Sequence, residues 1–164
     1  MAGITKKIEI ATNIAIIMTA LVIAASFVRN YEKKNDEPKA IAAGETLRLK
    51  DLQWQSENKT LVLALSTNCH FCNESAEFYK RLVIECKRRK IQTVAIFPQP
   101  VIESTAHLQS LGIAVDQVRQ VFLPQIRITG TPTLLLVDHF GTVDHVWIGK
   151  LTSKRENEVF VQLD

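Results

Sequence analysis

Two cysteines three positions apart stand between an apolar run and a helical one, and this junction constrains the fold more than any other feature of the chain. Residues 60–66 form a continuous apolar run of the kind found in buried parallel strands. From the residue after Cys69, apolar residues recur at helical spacing through residues 70–90. A strand, a tight turn and a helix would place both thiols at a helix N-terminus, where a thiolate is stabilised.

The cysteine count narrows the chemistry. The chain has three cysteines, so they cannot all pair within one monomer. Two at CxxC spacing and Cys86 elsewhere indicate a redox or metal site and not a disulfide scaffold. Zinc normally takes four ligands, and the sequence has no second CxxC or CxxH, which favours dithiol–disulfide chemistry. We therefore expect no metal and no cofactor, and we expect Cys86 to be a buried, inert thiol.

The N-terminal region predicts a membrane segment. Residues 10–28 contain no charged side chain and are bounded by Glu9 and Arg29. Their number is close to the ~20 residues that a helix needs to cross a hydrocarbon core. We prefer an uncleaved, single-pass anchor preceded by a short tail at residues 1–9. A cleaved signal peptide is the alternative, because residues 24–26 are small.

Basic residues flank this segment on both sides, so their distribution alone does not determine its orientation in the membrane. Counted literally, two precede it and four follow it, which favours a cytoplasmic C-terminal domain. However, the preceding tail is short, and disulfides persist outside the cytoplasm. We therefore expect the C-terminal domain on the extracytoplasmic, periplasmic side of the cell membrane.

The rest of the chain divides into a tether and one domain. Residues 29–43 are mixed in charge and poor in large apolar side chains, which predicts a tether. Residues 44–164 are numerous enough for one core. Within them we expect strands at 60–66, 91–97, 133–137 and 142–148, a short edge strand at 47–49, and helices at 70–90, 102–111 and 152–163. This order predicts an α/β domain with a central sheet, parallel first and antiparallel later, flanked by helices.

Two further motifs accompany the cysteines at consistent positions. A Thr-Pro-Thr step at 131–133 enters the third buried strand, and an Asp-x-x-Gly step at 138–141 lies in the hairpin after it. Together with the CxxC motif at 69–72, they make residues 44–164 resemble a thioredoxin-fold domain. With the anchor, the chain resembles membrane-anchored bacterial thiol–disulfide oxidoreductases. The resemblance implies a thioredoxin-like fold with a mixed β-sheet.

The chemistry of the motif assigns roles to its four residues. We expect Cys69, at the exposed start of the helix, to be the nucleophile and Cys72, one turn on, to resolve the mixed disulfide. The redox-active disulfide would link these two sulfurs. His70 and Phe71 would tune the redox potential, since a protonated imidazole stabilises a neighbouring thiolate.

The resemblance also implies a conformation and a role for the Thr131–Pro132 step. It implies a cis bond before Pro132, with Thr131 offering its backbone to a substrate strand and the proline ring shielding the cysteines. The chain differs from thioredoxins at one position that bears on mechanism. Thioredoxins carry a buried acid in the strand before the CxxC motif, and this chain has Leu63 there. Without that acid, Cys72 lacks an obvious base, which favours a specific substrate or an oxidative direction.

The leading hypothesis is an enzyme that exchanges disulfides with cysteine-containing protein substrates and with a membrane or soluble redox partner, while residues 10–28 enter the lipid bilayer. Two alternatives stay open. One is a peroxiredoxin-like thiol peroxidase, in which Ser66 and Arg127 would activate peroxide. The other is a non-enzymatic, thioredoxin-like copper-handling protein. The net charge of +3 is too small to indicate a nucleic-acid partner.

Overall fold

The computed structural model describes two parts of the chain separately. The described residues are 15–29, 39–49, 52, 54 and 58–163. In the first part, helix α1 covers residues 15–29, and its large apolar side chains are exposed. No helix among the described residues has the length and hydropathy required to span a bilayer. The expected segment 10–28 overlaps α1 from residue 15 onward, whereas residues 1–14 and 30–38 lie outside the described part.

The second part is a compact unit that begins at Ala40. Ile41 is buried, and its backbone N–H donates to the carbonyl oxygen of Arg127 at 2.9 Å. Residues 40–43 therefore belong to the same unit as the rest of the domain, and the domain boundary at residue 44 stays a prediction. One isoleucine among small residues is a weak sequence signal, but its burial and its backbone hydrogen bond are enough to attach this stretch to the domain.

A five-stranded mixed sheet forms the centre of the domain, with strand order β3-β2-β1-β4-β5. The strands are β1 Thr60–Ala64, β2 Gln92–Phe97, β3 Gln117–Gln120, β4 Thr133–Val137 and β5 Val143–Ile148. Val62 of β1 pairs with Val94 of β2 in parallel and with Leu135 of β4 in antiparallel register. Strands β1 and β4 are buried along their whole length, which explains their continuous apolar sequence. The expected change from parallel to antiparallel pairing is confirmed.

Four α-helices and one 3-10 helix accompany the sheet. They are α2 His70–Glu74, α3 Ala76–Arg88, α4 Val101–Ser110, the 3-10 helix Leu123–Ile126, and α5 Ser153–Gln162. The prediction of a single helix over residues 70–90 is wrong, because α2 and α3 are separated at Ser75. There the hydroxyl donates to the carbonyl oxygen of Phe71 at 2.8 Å, a local bond that competes with regular helix geometry.

Alternate residues of β1 contribute to two different apolar clusters, as the pleat requires. Leu61 and Leu63 join a cluster that also contains buried residues of α3, α4 and α5. Val62 and Ala64 join a second cluster with apolar residues of the segment 41–49 and of the 3-10 helix. The central strand is thereby covered on both faces, and the cysteine motif follows its C-terminal end.

The sheet edges differ from the expectation. The edge strand expected at residues 47–49 is absent among the described residues, where Thr46 forms one isolated bridge with Thr142. Leu47 is nevertheless buried and donates its backbone N–H to Gly141 at 2.8 Å. The edge position beside β2 is taken instead by β3, whose half-exposed Gln-Val-Arg-Gln sequence carries no apolar strand signal.

Candidate active site

Cys69 and Cys72 are joined by a disulfide, with their Cα atoms 5.2 Å apart. Cys69 is the N-cap of α2, and its Sγ accepts a hydrogen bond from the backbone N–H of Cys72 at 3.1 Å. Cys69 is half-buried, whereas only 3% of Cys72 is exposed. This difference fits Cys69 as the sulfur that meets a substrate and Cys72 as the resolving sulfur, roles that stay predictions.

A tight turn leads the chain from β1 into this motif. The backbone N–H of Cys69 donates to the carbonyl oxygen of Ser66 at 3.1 Å, and the N–H of Asn68 donates to the Ser66 hydroxyl at 3.3 Å. Serine and asparagine favour such turns because their short polar side chains bond to nearby backbone. The turn thereby brings Cys69 to the N-cap of α2.

The Thr131–Pro132 peptide bond is cis, as expected from the resemblance. Pro132 is buried, and its carbonyl oxygen accepts the backbone N–H of Gly149 at 2.8 Å. The next residue, Thr133, pairs with Ala64 at the end of β1. Because β1 and β4 are antiparallel, the loop that contains Thr131 and Pro132 (the proline loop) and the turn at residues 66–69 (the cysteine turn) lie at the same end of the sheet. Substrate binding by Thr131 and Pro132 stays a prediction.

The loop at residues 98–100, between β2 and α4, also contacts the cysteine turn. The Gln99 side chain donates from Nε2 to the Ser66 hydroxyl at 2.9 Å and accepts the Thr67 backbone N–H at Oε1 at 3.4 Å. The Thr67 hydroxyl donates to Glu103 at 2.8 Å. Sequence reasoning did not single out Gln99 or Glu103. A glutamine between two prolines, directly after a buried strand, is the signal that could have identified this loop.

The two residues between the cysteines lie at the surface. The His70 side chain is 78% exposed, and its Nε2 lies 3.1 Å from a Glu74 carboxylate oxygen one turn along α2. The other Glu74 oxygen accepts a hydrogen bond from Lys150 at 3.0 Å. This hydrogen bond is the main cause that lowers the pKa of Glu74, and His70 contributes less. Phe71 is 53% exposed. Tuning of the potential by His70 and Phe71 stays a prediction.

Replacement of Lys150 by methionine should raise the pKa of Glu74 toward its ordinary value of 4.5, because the main hydrogen bond to the carboxylate is lost. A lowered folded-state pKa stabilises the protein above pH 4.5, and this contribution disappears as the pH falls through the folded pKa. A carboxyl-detected NMR titration of Glu74 measures the shift. Lys154→Met, at an exposed lysine of α5, should leave the titration unchanged. An unaltered Glu74 pKa in Lys150→Met would contradict the assignment.

The third cysteine lies away from solvent. Cys86 is fully buried in α3 within the cluster that contains Leu61 and Leu63. Burial is the main cause that raises the pKa of its thiol to about 12. The expected burial of Cys86 is confirmed, and a neutral thiol at physiological pH is a poor nucleophile.

Alkylation of the reduced, native protein with iodoacetamide at pH 8 should therefore label Cys69 first and leave Cys86 unlabelled. In urea, Cys86 should become labelled at the rate of an ordinary thiol. Peptide mass spectrometry after timed quenching distinguishes the two. Native labelling of Cys86 as fast as that of Cys69 would show that the buried position is wrong.

The two groups that the peroxidase hypothesis requires, Ser66 and Arg127, have other hydrogen-bond partners. Arg127 binds both carboxylate oxygens of Glu45, at 2.9 and 3.0 Å. The Ser66 hydroxyl accepts hydrogen bonds from Gln99 and from Asn68. Within the part of the chain that the structure describes, no group of three or more His, Cys, Asp or Glu side chains is placed to hold a metal ion.

No protein-family model matches the sequence, and no curated protein matches it. Solved structures do match the domain. A protein of Chlorobium tepidum assigned as thiol:disulfide interchange protein DsbE superposes with a TM-score of 0.62 at 15% identity, covering 76% of this chain and 100% of its own. The thioredoxin domain of a thiol-disulfide oxidoreductase from Bacteroides vulgatus gives 0.59 at 16% identity, over 76% and 100%. StoA from Bacillus subtilis gives 0.56 at 12% identity, over 78% and 99%.

At such low sequence identities, the structural similarity establishes the fold and does not establish the activity. The coverage shows that these neighbours align over nearly their whole lengths. The C-terminal unit of this chain therefore has a thioredoxin fold, with a disulfide at the N-terminus of α2 and a cis-proline loop at the same end of the sheet.

Proposed function

We propose that this thioredoxin-fold chain is a thiol–disulfide oxidoreductase that exchanges disulfides with cysteine-containing proteins through Cys69 and Cys72. The observation that carries the proposal is the disulfide between an accessible sulfur and a buried one at the N-cap of α2. The named neighbours supply independent support, since two of those described above are thiol–disulfide exchange proteins by name.

The exchange proceeds in two steps. In the reduced protein, the Cys69 thiolate attacks one sulfur of a substrate disulfide, forms a mixed disulfide and expels the other substrate sulfur as a thiolate. The Cys72 thiol then loses its proton and attacks the Cys69 sulfur. This closes the intramolecular disulfide and expels the second substrate thiolate. Two electrons pass from the dithiol to the substrate, and the reverse sequence oxidises a substrate dithiol.

The local structure favours the first step. The backbone N–H of Cys72 donates to the Cys69 sulfur at 3.1 Å, and a hydrogen-bond donor at this place stabilises the thiolate that attacks the substrate. In contrast, β1 contains no acid, and Leu63 is fully buried at the position discussed above. Without an acid in β1 we expect slow resolution by Cys72 in the reducing direction, which favours a specific substrate or an oxidative role.

We also propose that residues 10–28 anchor the chain in the cell membrane, with the thioredoxin-fold domain on the extracytoplasmic side. The uncharged stretch in the sequence supports the anchor, and the need of stable disulfides for an oxidising compartment supports the orientation. Alkaline phosphatase fused after Asp164 should be active in cells. A fluorescent green fluorescent protein fusion with an inactive phosphatase fusion would reverse the orientation.

The activity is tested with the full-length chain in a mild detergent. Insulin supplies the substrate disulfide and dithiothreitol the electrons, and turbidity reports reduction of the insulin chains. Oxidation is followed in parallel by the regain of activity of reduced ribonuclease in a glutathione buffer. Acceleration of either reaction by the wild-type chain, and not by Cys69→Ser, supports the proposal. Rapid consumption of hydrogen peroxide with no acceleration of either exchange reaction would favour the peroxidase alternative.

A further inference from the structure

The backbone of the loop that contains Gln99 is restrained by two prolines and by a hydrogen bond from α4. Pro98 and Pro100 flank this residue, and the proline after it restricts its backbone to extended conformations. The hydroxyl of Ser104, fully buried in α4, donates to the Gln99 carbonyl oxygen at 3.3 Å. These restraints hold the backbone of Gln99 independently of the hydrogen bonds that its side chain makes to the turn at Ser66 and Thr67.

The orientation of the Gln99 amide follows from its partners. The backbone N–H of Thr67 can only donate, so the amide oxygen must face it. The amide nitrogen then donates to the Ser66 hydroxyl oxygen at 2.9 Å. One side chain thereby holds two consecutive residues of the turn, one through its backbone and one through its hydroxyl.

This turn determines where the Cys69 sulfur lies. The N–H of Cys69 bonds to the Ser66 carbonyl oxygen at 3.1 Å, and the sulfur accepts the N–H of Cys72 at 3.1 Å. Hydrogen bonds weaken steeply as distance and angle depart from the optimum. A small displacement of the turn would therefore weaken the hydrogen bond from the Cys72 backbone N–H to the Cys69 sulfur, and the thiolate would lose stabilisation.

We propose that Gln99 is a positioning residue for disulfide exchange, which holds the turn at Ser66 and Thr67 so that the Cys69 sulfur keeps its hydrogen bond from the first turn of α2. The inference rests on the proposed function, because it concerns the reactivity of the same sulfur. It adds a residue from the β2–α4 loop whose side chain bonds to Ser66 and Thr67 and acts through the turn.

The test replaces Gln99 by methionine, which keeps the length of the side chain and removes both its donor and its acceptor. In the full-length, reduced protein we expect the alkylation rate of Cys69 by iodoacetamide at pH 6 to fall by about threefold to tenfold. Because the reduced form loses stabilisation, the equilibrium with glutathione should shift toward the disulfide by a similar factor. A tenfold shift corresponds to ~30 mV toward more negative potentials.

Two further variants separate positioning from general destabilisation. Gln109→Met, at an exposed glutamine of α4, should leave the alkylation rate and the potential unchanged. Ser66→Ala removes the acceptor on the turn and should give a smaller shift in the same direction. It also supplies the answer if Gln99→Met does not fold. In the Ser66→Ala background, Gln99→Met should have less effect than it has alone.

The outcomes distinguish the two proposals. If the wild-type disulfide exchanges with glutathione but Gln99→Met keeps the wild-type alkylation rate and potential, the positioning role is overturned and the proposed function stands. A lower unfolding midpoint in Gln99→Met without a change in Cys69 reactivity has the same meaning. If the wild-type cysteines do not exchange with glutathione at all, both proposals are overturned.

Discussion

Replacement of Cys69 by serine is expected to lower the rate of disulfide exchange by on the order of a thousandfold or more. Only a sulfur nucleophile can form the mixed disulfide, and Cys72 cannot substitute because only 3% of it is exposed. Replacement of Cys72 by serine should have a different result. Cys69 would still attack a substrate disulfide, but no second thiol would release the product. The mixed disulfide should therefore accumulate.

The two variants are compared on non-reducing gels and by mass spectrometry after incubation with insulin. Cys72→Ser should show an adduct that dithiothreitol removes, and Cys69→Ser should show none. Cys86→Ser is the matched control, because it removes a thiol that is fully buried and should retain exchange activity. Adduct formation by Cys69→Ser and not by Cys72→Ser would reverse the assignment of nucleophile and resolving cysteine.

Phe97→Ala is expected to destabilise the domain by about 3–5 kcal/mol, the usual cost of removing a buried aromatic ring. Phe97 is the last residue of β2 and is fully buried in the cluster that includes Cys72. Its carbonyl oxygen also accepts the N–H of Val121 at 2.7 Å. Since small domains are stable by about 5–15 kcal/mol, this loss is a large fraction of the total.

Urea denaturation of the oxidised protein, followed by tryptophan fluorescence, measures this effect. Ile102→Ala is the matched control, because that side chain is 87% exposed at the start of α4. It should change the free energy of unfolding by less than about 0.5 kcal/mol. A cost below about 1 kcal/mol for Phe97→Ala would show that the ring is not packed as described. Both variants should keep the disulfide.

The buried parts of the fold were predictable because burial on both faces leaves a continuous apolar sequence. Strand β4 has the predicted bounds, Thr133–Val137, and β1 and β2 end within two residues of theirs. Once those strands are placed in one sheet, the cysteine turn and the Thr-Pro step follow at the same end. The main elements of the candidate site could thus be located from the sequence.

Other features depend on contacts between segments that are distant in sequence. Strand β3 lies at an edge and pairs with β2 through its backbone, so its polar side chains give no strand pattern. The apolar helical spacing continues across Ser75, where α2 ends and α3 begins, so the spacing does not mark the interruption. The contact of Gln99 with Ser66 joins residues 33 positions apart, and no local periodicity reports such a contact.

The central claim is that Cys69 and Cys72 form a disulfide that opens and closes in exchange with other thiols. The most direct test equilibrates the full-length chain with glutathione buffers of graded potential, traps free thiols by alkylation in acid and counts them by mass spectrometry. We expect a single two-electron transition confined to these two cysteines, with a midpoint between about −270 and −120 mV. Two thiols that stay free across the whole series, or a pairing that involves Cys86, would contradict the account.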